Sequence, residues 1–143
     1  MLDAIDLEDC QRVIDSVPCL VEVPSAYADL LQEEGYAAPS PMEERKYARY
    51  RFCRPAALQI IEDLPLLPRM RKIGGSYLVS ISIGGAAVLF DEQLYPRERV
   101  RIWIAADALT GTVARCRRIG PKCYEVGIIL DERVQVHRIT RGH

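Results

Sequence analysis

From residue 56 onward the apolar residues recur at every second position. In VRIWI (100–104), Val100, Ile102 and Ile104 fall on one face, and Arg101 and Trp103 on the other. In CYEVGIIL (123–130), Tyr124, Val126, Ile128 and Leu130 share a face. A period of two marks a β-strand with one side buried. Segments 56–62, 76–82, 86–90 and 109–119 are also strand-like, so six short strands are expected. Turn-formers separate them: the Pro-rich, basic run LPLLPRMRKIGG (64–75), Gly84-Gly85 and Gly120-Pro121. Short strands with turn signals at fairly regular spacing argue for a small antiparallel barrel rather than parallel βαβ units. The expected fold class is mainly β, a six-stranded antiparallel β-barrel with a short helical N-terminal extension.

Ahead of residue 50 the period is different. DLEDCQRVIDS (6–16) reads as a short helix, with Asp6 able to cap it and Leu7, Cys10, Val13 and Ile14 on one face. Pro18 ends it. PCLVEVP (18–24) is Pro-bounded and short, at most a brief strand. SAYADLLQEEG (25–35) reads as a second helix, with Ser25 as N-cap, Tyr27, Leu30 and Leu31 as its apolar stripe and Gly35 as its stop. YAAPSP (36–41) looks like a linker. The tail 131–143 is polar and basic, suited to fraying or to an extra turn or strand.

Charge divides the chain at nearly the same place. Residues 1–44 hold eleven acids and one base, a net of −10, while residues 45–143 hold nine acids and eighteen bases, a net of +9. The whole sums to −1, which by itself predicts no nucleic-acid or membrane partner. The asymmetry predicts an anion-binding body with an acidic extension. A length of 143 residues with 49% hydrophobic content suits one small domain with an appendage. Five cysteines, an odd number without a CxxC pair, and no apparent signal peptide predict reduced thiols in the cytoplasm. With only His137 and His143 as further soft ligands, a zinc site is not expected. The longest apolar-leaning run, 77–90, has fourteen residues, short of the ~20 that a spanning helix needs, so no membrane insertion is expected.

The boundary itself is RKYARYRFCR (45–54), with five cations and no acid. Arg45 and Arg49 are four apart, a spacing that allows both guanidinium forks on one side of the chain. Such a fork can grip a phosphate, bind a guanine edge or stack on a base. The plainer reading is a basic linker docked on the acidic segment or pointing into water. Downstream, SISIGG (80–85) places Ser80 and Ser82 on one face beside Gly85, where a missing Cβ lets a ligand or backbone come close. Alone, that is a common kind of tight hairpin.

Taken together, these two stretches resemble the PilZ domain, a bacterial receptor module for cyclic di-GMP. The family's signature is R-x-x-x-R before the first strand and [D/N]-x-S-x-x-G at the end of the next. Here Arg45 and Arg49 match the first half, and Ser82 and Gly85 the second. YEVGIILDE (124–132), with Gly127, resembles the family's end strand. The resemblance covers about residues 43–132, leaving 1–42 as the acidic helical extension and linker and 133–143 as a polar basic tail. It implies a PilZ-like six-stranded barrel over which the basic linker wraps when ligand binds. Arg45 and Arg49 would hold phosphates and guanine edges, while Ser80, Ser82 and Gly85 would contact the nucleotide from the barrel. Where the family has Asp or Asn, this chain has Ser80. Losing one charge-assisted contact there costs about 1.5–3 kcal/mol, tenfold or more in affinity.

The implied function is a non-catalytic cyclic di-GMP sensor without cofactors. It would control an unidentified protein partner through movement of its linker and extension. The alternative is a degenerate adaptor that works through protein contacts without the nucleotide. An enzyme is not expected, because no paired carboxylates, phosphate loop or Ser-His-Asp set is present. A nucleic-acid polymer is not expected either, given the acidic extension and the few aromatics. Trp103 is expected outside the barrel, partly buried beneath the linker or the N-terminal helices. Arg115, Arg117 and Arg118 read best as a solvated strand face, and His137 lacks a partner for catalysis.

Overall fold

The structure, a computed structural model, describes residues 7–36, 48–104 and 107–141. Helix α1 spans Leu7–Ser16, and a single helical turn, α2, spans Ser25–Ala28. Seven strands follow: β1 Gly35–Tyr36, β2 Tyr50–Glu62, β3 Ile73–Ile81, β4 Gly85–Phe90, β5 Arg99–Ile104, β6 Asp107–Gly120 and β7 Cys123–Leu130. Helix α3, Val136–Arg141, ends the described chain. Every pairing is antiparallel, in the order β1-β2-β3-β4-β7-β6-β5, and β2 pairs with β5 to close a six-stranded barrel. The two-residue β1 only adds to its rim.

The period-two pattern decides which side chains enter. Leu58, Ile60, Leu78, Val88, Val100, Ile102, Val126 and Ile128 fill the interior, and their outward neighbours form separate small clusters. Each such side chain contributes roughly 1.5–3 kcal/mol on burial. A one-residue slip of any strand would turn that strand inside out. Strand β2 starts earlier than the alternation from 56 implies. Tyr50–Arg54, half of the basic stretch, is already strand, because Phe52 points into the core. Pro55 is tolerated where β2 pairs with β3 alone, since pairing with β5 begins at Ala57.

Three further expectations are corrected. The second helix does not run over 25–35: it stops after Ala28, and Leu30–Gln32 is a 3-10 turn. Its N-cap is Pro24 with no side-chain cap bond, rather than Ser25. So short a segment cannot hold itself helical, and the packing of Tyr27 and Leu31 on the barrel sets its course. The tail, expected to fray or to form an extra turn or strand, takes the helical turn α3 over its described part, which places Val136 and Ile139 in the core. Arg54 closes that helix by donating to the carbonyl of Thr140 at 3.0 Å. The expected linker begins inside β1 at Tyr36, and its remainder lies outside the described residues.

The described part of the acidic extension packs its apolar residues on the barrel's outside. Cys10, Val13, Ile14 and Val17 cover Ala57 and Trp103, so the buried Trp103 lies beneath α1 as expected. The chain then crosses β3, where Gly75 N–H donates to Pro18 O at 2.9 Å. Val21, Val23, Tyr27 and Leu31 cover Val79, Ala87, Leu89 and Cys123 on the next face.

At one end of the barrel the cations of 64–75 are consumed by acids. Arg69 donates to both carboxylate oxygens of the fully buried Glu98, at 2.5 and 2.7 Å. Arg71 pairs with Asp91 and Glu92, and Lys72 with Asp63. These pairs lock the β2–β3 and β4–β5 connections together.

Candidate functional site

The site forms around the β3–β4 turn. A bulge between Leu78 and Ser80 lets both Leu78 and Ile81 enter the core, which turns Ser80 outward. Ser82 N–H donates to Gly85 O at 2.8 Å, closing a tight hairpin. The turn is pinned from behind: Gly84 O accepts from Leu130 N–H at 3.0 Å, and Ile83 O from Val134 N–H at 2.9 Å. A Cβ on Gly85 would lie 3.2 Å from Ile128 O, so β4 approaches β7 closely here.

In front of this turn is a cavity of about 310 Å³, lined by Arg49, Ser80, Ser82, Gly85, Arg115 and Ile129 among others. Four of the five residues singled out from the sequence thus line one space. The fifth, Arg45, lies outside the described residues. Arg49 is half-buried, just ahead of β2. The volume is at the low end of the ~300–1,000 Å³ typical of ligand pockets.

Arg115, read from the sequence as part of a solvated strand face, lines the cavity too. It pairs across the sheet with Gly127. A Cβ on Gly127 would lie 2.9 Å from both Cγ and Nε of Arg115, so that glycine leaves the room in which the arginine lies across β7. The signal was present in the alternation of Arg115 and Arg117 and in Gly127. The register that joins them was not.

A second, smaller cavity of about 140 Å³ shares Arg49 and Ser80 with the first. Arg51, Arg117, Tyr27, Glu33 and Glu125 also line it. Tyr27 donates to Glu125 at 2.7 Å, and Arg117 reaches the other oxygen of that carboxylate at 3.1 Å. Burial and the bond to Glu125 push the Tyr27 pKa well above the usual tyrosine range, so it stays a hydrogen-bond donor.

A larger cavity, about 960 Å³, lies between the β5–β6 edge and α3. Of its lining charges, Arg138 pairs with Asp107 at 2.9 Å, and Asp131 is paired from outside the cavity by Arg99 at 2.6 Å, which leaves little field for an ionic ligand.

Chemically, the first cavity offers two guanidinium forks, two hydroxyls and the exposed apolar side chain of Ile129. That set suits a planar, multiply anionic ligand. Burial raises the thiol pKa of Cys53, Cys116 and Cys123, which disfavours the thiolate a nucleophile requires. Among the described residues there is no cluster of three or more metal-ligating side chains, and no helix long and apolar enough to cross a membrane. No protein-family model, curated protein or solved structure matches the chain.

Proposed function

We propose that this chain is a non-catalytic, PilZ-like sensor of cyclic di-GMP that works in the cytoplasm. The ligand sits in the cavity at the β3–β4 turn. Arg49 and Arg115 take its phosphates and guanine edges, and Ser80, Ser82 and the backbone at Gly85 contact it from the barrel. Arg45 joins from the basic segment ahead of β2. Binding draws that segment inward and shifts the acidic extension, which changes the surface offered to a protein partner. The observation that carries this reading is that Arg49 and the Ser80–Gly85 corner, some thirty residues apart, line the same cavity.

Titration calorimetry with cyclic di-GMP tests it. Wild type releases heat at micromolar ligand, and Arg49→Ala abolishes it. Ser80→Asp restores an acceptor for the guanine N1–H and amine, and it tightens binding by roughly ten- to a hundredfold, about 1.5–3 kcal/mol. A folded wild type that gives no heat overturns the proposal. The second reading, an adaptor that acts through protein contacts alone, has Ser80 and the internal pairing of Arg51 and Arg117 in its favour. It requires that neither wild type nor Ser80→Asp bind the nucleotide.

A further inference from the structure

The described part of the extension ends beside the cavity. After the well-packed Leu31, the chain passes through Glu33 and Glu34 and joins the barrel rim as β1. Glu33 lines the smaller cavity together with Arg49, Arg51 and Arg117, and its carboxylate lies 3.8 Å from Arg51 Nη1. Glu34 accepts a hydrogen bond from the Tyr50 hydroxyl at 3.3 Å. Burial, followed by the nearby Glu34 charge, raises the Tyr50 pKa, so this donor too keeps its proton. Beyond these contacts the segment is held by two residue pairings, Gly35 with Arg51 and Tyr36 with Tyr50, and by an edge-on contact of the two tyrosine rings at 5.2 Å.

These attachments differ from those just upstream. Residues 21–31 are held by an apolar cluster and by the part-buried Tyr27–Glu125 bond. Residues 33–36 are held by a long ion pair whose two side chains are 49% and 67% exposed, by the exposed 3.3 Å bond of Tyr50 to Glu34, by one edge-on ring contact and by a two-residue ladder. Exposed pairs of that kind are weak, and an isolated two-residue ladder adds little. Gly35, at φ +127, takes a backbone conformation open to glycine and strained for other residues, which lets the chain change direction. The segment is anchored at its root and loosely attached at its tip.

We propose that residues 33–36 form an acidic strap whose Glu33 carboxylate occupies the smaller chamber as an internal counter-anion while Glu34 fastens it to Tyr50, and that the strap must lift for a cyclic dinucleotide to fill both chambers. The proposal rests on the cyclic di-GMP reading and assigns that site its regulation. The chambers share Arg49 and Ser80, so a ligand that extends from one to the other meets the Glu33 carboxylate. The ligand's phosphates and the Glu33 carboxylate then compete for the arginines of the smaller chamber, and the Glu34 bond to Tyr50 opposes the lifting. Apparent affinity is the intrinsic affinity reduced by the fraction of molecules with the strap open. The acidic charge of the extension thereby sets the ligand concentration at which the sensor responds.

The test uses the full chain, cyclic di-GMP calorimetry and the double variant Glu33→Gln/Glu34→Gln. Glu22→Gln serves as control, because Glu22 pairs with Lys122 at the β6–β7 turn and lines neither cavity. The double variant should bind about tenfold more tightly than wild type, as for a strap closed about nine-tenths of the time, and Glu22→Gln should match wild type. Hydrogen exchange at the Tyr36 amide should quicken when wild type is saturated with ligand. Equal affinities of wild type and double variant, or unchanged exchange at Tyr36 on saturation, overturn the strap and leave the binding site standing. No heat from any of the three proteins overturns the cyclic di-GMP reading, and the strap falls with it.

Discussion

Glu98 shows how much one residue can carry. Its carboxylate is fully buried and accepts from Arg69 Nε and Nη2 and from Tyr95 N–H. Arg69 in turn donates to Gln93 O at 2.7 Å, and its N–H donates to Asp63 at 2.8 Å, so one ion pair joins two loops. Removing one member of a buried pair strands the other charge. Glu98→Gln should therefore lower stability by about 3–5 kcal/mol, read as a shift of the urea midpoint, and an unmoved midpoint would refute this. None of this was legible in the sequence, where Glu98 is one acid in a loop. At the cavity the legible residues were those with unusual local demands. Arg49, Ser82 and Gly85 stood out by spacing and chemistry. Arg115 did not, because its role depends on Gly127 lying opposite it, and cross-strand register is not written in either segment.

Among the elements, the strands were readable and the extension only in part. Alternation over five to eight residues fixes which side chains are buried, so β4, β5 and β7 lie close to where the pattern puts them. Helix α1 was readable from Cys10, Val13 and Ile14 on one face. The course of the extension after α1 depends on β3, where the Gly74-Gly75 pair read as part of a loop is in fact strand. A Cβ on Gly75 would lie 2.6 Å from Cys19 Cα, so only glycine lets the extension cross there. Gly75→Ala should force that crossing outward at a cost of about 1–3 kcal/mol. Trp103, the chain's only tryptophan, lies beneath α1 and reports the change. Its emission should shift to the red while the far-ultraviolet signal of the barrel persists. An unshifted spectrum would mean that α1 stays docked without the crossing.

For the whole molecule, the attachment of the extension is tied to pH. Tyr27, Tyr50 and Tyr77 all have raised pKa values in the fold, so the folded state favours their protonated forms. Stability from a raised group is complete below its unfolded pKa, near 10, and is lost as the pH climbs through the folded value. The melting temperature should hold from pH 7 to about 8.5, ease down as the raised thiols of Cys53, Cys116 and Cys123 come into play, and fall more steeply above about 10, and Tyr27→Phe should blunt the steep part. A wild-type curve flat to pH 11 would show that these hydroxyls do not tie the extension down. By itself the sequence determined the barrel, the partition of charge and the residue types fit for an anion, because these follow from alternation, composition and side-chain chemistry along short stretches. Only the tertiary structure decided that the acidic extension lies along the outside of the barrel, that Arg115 joins the cavity and that Glu33 shares the smaller cavity with Arg49, Arg51 and Arg117. Each of these depends on which distant backbones meet in register, and that is settled by the packing of the closed barrel as a whole.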